Sequence, residues 1–147
     1  MRQASLLAVI AAVACIAAGT AAAALSPSAY RAQAGAICKY GRAHLNALGA
    51  PKTDKEVGTY LAASLPIARA ELASLRRLSP PASVRAGHEQ ALSYFGKELD
   101  LLAAAVQKIK AGADPIQQFN AINARETSFG KGEDAGWRMA GVTACTG

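Results

Sequence analysis

The chain predicts an all-α protein, an up-down bundle of four helices, on three observations. Alanine, leucine, arginine, lysine and glutamate, the good helix formers, dominate a composition that is 52 % hydrophobic but only 5 % aromatic. Four stretches place apolar residues three, four or seven apart, the spacing of one helical face. Short corners rich in glycine and proline separate them, and no stretch alternates like a strand. At 147 residues the chain is long enough for one domain with its own core.

Residues 1–24 read as an export signal. Arg2 precedes an apolar run from Leu6 to Ala18, and Ala22-x-Ala24 offers a small-residue cleavage site before Leu25. Two alternatives stand beside this. The run is long enough to span a bilayer uncleaved, and Cys15 could carry the lipid of a lipoprotein, although Ile16-Ala17-Ala18 continues the apolar run past it. Cleavage leaves residues 25–147 as a single domain with no membrane span.

In the first helix, expected at about 27–48, Ser26 can cap and Pro27 fits the first turn. Its stripe is Tyr30, Ala34, Ile37, Cys38, Gly41, Leu45 and Leu48, and Gly49 and Pro51 end it. The second, at about 53–78, opens on a capping box in which Thr53 and Glu56 serve each other's amides. Its stripe of Val57, Leu61, Leu65, Ala68, Leu72 and Leu75 keeps its phase across Pro66, so a kink is expected there rather than two helices. After Ser79-Pro80-Pro81 comes the third and longest helix, at about 81–111. Val84, Ala91, Phe95, Leu99, Leu102, Val106 and Ile109 form its face, with His88 filling the gap. Asp114-Pro115 starts the fourth, at about 115–140, with the stripe Phe119, Ile122, Glu126, Phe129, Glu133, Trp137 and Ala140. Gly130, Gly132 and Gly136 weaken its last turns by about 1 kcal/mol each relative to alanine.

Loss of the leader would leave two cysteines, Cys38 and Cys145, in an oxidising compartment. In an up-down bundle the tail after the fourth helix returns beside the first, so a bridge between them is sterically open. It would close a loop of about 107 residues and contribute about 4–5 kcal/mol by chain entropy. The alternative is two unrelated buried thiols.

The leader, Ala36-Ile37-Cys38, the Ser79-Pro80-Pro81 corner, Ala-Gly-Ala-Asp-Pro at 111–115, and the ending Trp137-Arg138-x-x-Gly141-Val142-x-x-Cys145 stand together in this chain. In these motifs it resembles a family of small secreted helical proteins from bacteria with alanine- and arginine-rich proteomes. The resemblance implies a location and a fold, and it carries over no catalytic residue.

Motifs for chemistry are missing. There is no Gly-x-Ser-x-Gly, no phosphate-binding glycine loop, no His-Glu-x-x-His and no Cys-x-x-Cys-His. The net charge of +6, or +5 without the leader, is spread around the helices with no tract longer than Arg76-Arg77, which argues against nucleic acid. His44 flanks the first stripe and reads as a surface or boundary residue. His88 lies on the apolar face of its helix and, in a hairpin of the last two helices, level with Glu133 and Trp137. Glu126 and Glu133 both interrupt the fourth stripe. A histidine facing a carboxylate inside a bundle can bind a metal or act in acid–base chemistry, or can simply be a buried hydrogen bond. One histidine and one or two carboxylates are too few ligands for a metal site. Trp137 among glycines can likewise line a pocket or plug one end of the bundle.

The sequence is therefore read as an exported, non-enzymatic bundle without a cofactor, binding or structural in the cell envelope, its partner an envelope protein or polymer. The alternative is a carrier of a small ligand or metal at the end formed by His88, Glu126, Glu133 and Trp137.

Overall fold

The computed structural model describes residues 25–147. The leader expected at 1–24, with Cys15, and the side chain of Glu126 lie outside the described residues. Four long helices account for most of what is described: α1 (Pro27–Ala47), α2 (Asp54–Arg76), α3 (Ala82–Lys110) and α4 (Pro115–Ala140). A 3₁₀ turn at Thr143–Cys145, which the sequence did not announce, follows in the tail. The described residues contain no strand.

Helices begin where the sequence offers caps. The Ser26 hydroxyl accepts from the amide of Ala29, and Asp114 Oδ1 accepts from the amides of Ile116 and Gln117. Thr53 accepts from the amide of Glu56 as expected, but the return contact differs: the Glu56 carboxylate takes the amide of Lys52 at 2.6 Å, one residue earlier than a capping box predicts. α2 ends at Arg76 rather than near 78, because the amides of Arg77 and Leu78 tighten onto Ser74 and Leu75 ahead of the two prolines. Pro66 sits inside α2 without dividing it. Gly141 (φ 71°) closes α4 in the left-handed conformation open to glycine, and the amide of Val142 reaches back to the Trp137 carbonyl.

α3 and α4 form an antiparallel pair, and two glycines set their separation. A Cβ on Gly136 would fall 2.5 Å from the Ala91 amide nitrogen, and one on Gly87 would fall 2.6 Å from the Gly136 carbonyl oxygen. Backbone meets backbone there, so the glycine that weakens α4 locally is what lets it dock. α2 packs on both α3 and α4, whereas α1 leans mainly on α2 and the tail.

The interior divides in two. One cluster gathers Tyr30, Ala34 and Cys38 of α1, Leu75 of α2, Val84 and Ala91 of α3, and Trp137, Ala140 and Val142. The other is Val57, Leu61 and Leu65 against Val106, flanked by Leu99, Leu102, Phe119 and Ile122. Cys38 and Cys145 form a disulfide, with their Cα atoms 5.2 Å apart. It ties α1 to the tail beside the first cluster.

Candidate functional site

His88, expected on the apolar face of its helix, is 4 % exposed. Its Nδ1 lies 2.8 Å from the hydroxyl of Tyr30, itself fully buried, and its ring meets the Tyr30 and Trp137 rings edge to face. Burial pushes the His88 pKa down, favouring the neutral ring, against a smaller upward pull from Glu89. Burial also raises Tyr30 to about 12, so its hydroxyl keeps a proton it can donate to Nδ1. Trp137 is fully buried and its Nε1 donates to Glu133 Oε1 at 2.8 Å. Trp137 meets both His88 and Glu133, and the polar pairing has a specific order: histidine on tyrosine, carboxylate on tryptophan. His44 lies exposed on the outer face of α1, against Tyr40, with ring centroids 4.2 Å apart. Among the described residues no three histidines, cysteines or acids are grouped to hold a metal.

A residue that the sequence reading passed over is Glu71. It projects from α2 toward α1, over Gly41, where any side chain would collide with its carboxyl group. Among the described residues that carboxyl receives no hydrogen bond. Burial, with the Glu133 charge adding to it and Arg42 opposing, raises its pKa to about 7. Arg42 acts on it through the field, since its guanidinium is bound to the Thr146 carbonyl at 2.9 Å and, more loosely, to that of Ala144. Glu71 thus feels the charge of the half-buried Glu133 while facing α1 on the outer face of the protein.

On that face α1 and α2 part to leave a cleft of about 520 Å³. Its walls are Ala36, Ile37, Pro66, Ile67 and Ala70, with Glu71 in the lining and Tyr40 and His44 along one side. Tyr40 is 68 % exposed, so its ring is open to solvent beside the cleft. A second cavity of about 320 Å³ lies beside the second cluster, bounded by Leu45, Leu61, Phe95, Glu98, Phe119 and Ile122 among others. Both volumes fall within the range of small-molecule sites. The cleft combines apolar walls, an exposed aromatic ring and one ionisable carboxyl, and that combination has a direction: it favours positive charge on an apolar body.

Glu71 was missed for a clear reason. It lies one position before Leu72 in the α2 stripe, where a glutamate reads as a solvated neighbour, and only Gly41 on another helix gives it an inward berth. No family model, curated protein or solved structure matches the chain significantly.

Proposed function

We propose that this chain is an exported, non-enzymatic binding protein of the cell envelope, built as an up-down four-helix bundle. The observation that carries this reading is the use of its polar groups. His88 is engaged by Tyr30 in the interior and the half-buried Glu133 by the fully buried Trp137, whereas the open concavity between α1 and α2 has apolar walls. Polar groups engaged in this way serve packing, and an apolar cleft serves recognition. The Cys38–Cys145 bridge fits an oxidising compartment, and no described helix is long and apolar enough to cross a membrane. The resemblance to small secreted bacterial helical proteins points the same way.

The alternative, a carrier working at His88, Glu133 and Trp137, is less well supported. A ligand there would have to displace the Tyr30 hydroxyl from a histidine already out of water. The test is intact mass on protein from the extracytoplasmic fraction of its own host. A mass beginning at Leu25, with two protons fewer until reduced, is expected. Reduced protein in the cytoplasm, or a lipid-bearing start at Cys15, would contradict the reading as stated.

A further inference from the structure

We propose that the cleft between α1 and α2 binds a small organic cation, a protonated amine on an apolar or aromatic body, with Glu71 receiving the ammonium group and Tyr40 flanking it. The inference rests on the reading of the chain as a binding protein, and names the class of ligand.

Three features of the cleft converge on that class. First, the Glu71 carboxyl is half-buried in the lining of the cleft and, among the described residues, receives no hydrogen bond, so it stands open to a donor carried by a ligand. Arg42, whose charge favours the ionised form of Glu71, is occupied with the carbonyls of the tail. Gly41 leaves open the space that Glu71 occupies. Second, the remaining lining is largely apolar, so it would hold a hydrocarbon or ring system and would exclude a strongly hydrated inorganic ion. Third, the exposed ring of Tyr40 borders the same space, and aromatic faces attract ammonium groups. An anionic ligand meets the opposite conditions, with Glu71 in the wall and the charge of Glu133 acting on it.

The charged groups around Glu71 define how binding responds to pH. Glu133 on α4 favours its protonated form, and Arg42 on α1 favours its ionised form. His44, also on α1, lines the cleft and would repel an ammonium group when protonated. Only the ionised carboxylate pairs with ammonium, and it forms as the pH rises through about 7. Affinity for an amine therefore climbs with pH up to that region and then levels off, while the amine itself stays protonated, as a lysine does.

The experiment is calorimetric titration of the disulfide-bonded protein with tryptamine, and with two probes of similar shape, uncharged 3-methylindole and anionic indole-3-propionate. One-site binding of tryptamine is expected at about pH 8, falling about tenfold per unit well below pH 7. Indole-3-propionate should not bind, and 3-methylindole should bind more weakly than tryptamine. Glu71→Gln should reduce tryptamine affinity by at least about tenfold while far-UV circular dichroism is unchanged. Ala70→Trp, which fills the cleft from an exposed position, should abolish binding of tryptamine and 3-methylindole. No saturation by tryptamine at about 1 mM, or equal affinities for wild type and Glu71→Gln, would overturn the proposal. A negative titration with protein whose mass confirms export and bridge formation defeats the cation site alone. A reduced, cytoplasmic protein instead defeats the binding-protein reading on which it rests.

Discussion

Around Trp137 the core draws on all four long helices and the tail, and it is fastened by a disulfide and a tyrosine–histidine hydrogen bond. Around Val106 the core is drawn from α2, α3 and α4, and among its described members no residue belongs to α1. The same helix is thus pinned in its first half, through Tyr30, Ala34 and Cys38, and largely solvated beyond Gly41. The contrast teaches that α1 is held by specific fastenings more than by a continuous apolar face. It also accounts for the cleft between α1 and α2: helices that meet along part of their length leave space along the rest.

Removing the strongest fastening should show the contrast most plainly. Cys38→Ala with Cys145→Ala should cost about 4–5 kcal/mol in urea unfolding, given the 107-residue separation. Amide exchange should accelerate first in α1 and the tail, with Leu61 and Val106 retaining protection. Equal acceleration throughout would mean that the two cores are one cooperative unit and would break the distinction drawn above.

The α3–α4 contact should be the next most sensitive. Gly136→Ala places a Cβ against the backbone of α3, where no side chain can swing aside, and should cost about 3 kcal/mol. Gly130→Ala in the same helix meets nothing closer than Glu98 Oε1 at 3.8 Å, and should stabilise by about 1 kcal/mol through helix propensity. Chemical denaturation of the pair separates a glycine kept for docking from one that is merely tolerated. Between these in size, Tyr30→Phe removes a buried partner from His88 and should cost about 2 kcal/mol, with the ring packing retained.

Much of the fold was legible in the sequence because it depends on local signals. Ser26-Pro27 and Asp114-Pro115 mark helix starts whatever surrounds them, and the α2 stripe holds its phase through Pro66. Cys38 and Cys145 were legible as a pair because the expected direction of the last helix brings the tail beside the first. The glycines of α4 were ambiguous for a different reason: propensity counts only their local cost, and Gly136 is explained by Gly87 and Ala91 on another helix. His88, Glu133 and Trp137 were found as neighbours, but their hydrogen bonds depend on Tyr30 and on side-chain direction, which spacing does not fix. Glu71 was illegible for the same reason, since its placement follows from the absence of a side chain at Gly41.

The central claim is that the Tyr30–His88–Trp137 cluster is sealed structure while Glu71 is the titrating group open to a cleft, and pH-dependent unfolding tests it most directly. His88, its pKa lowered by burial, contributes stability that is whole above the ordinary histidine value of 6.5 and is lost as the pH falls through its lower folded value. Glu71, its pKa raised, contributes stability that is whole below the ordinary value of 4.5 and is lost as the pH rises through about 7. Thermal unfolding of wild type and Glu71→Gln should be compared from about pH 5 to about pH 8.5. The account predicts similar melting temperatures at the acid end and a higher one for Glu71→Gln at the alkaline end, the gap opening as Glu71 ionises. Parallel curves at every pH would contradict it, because they would place the Glu71 carboxyl in ordinary water rather than half-buried under the charge of Glu133.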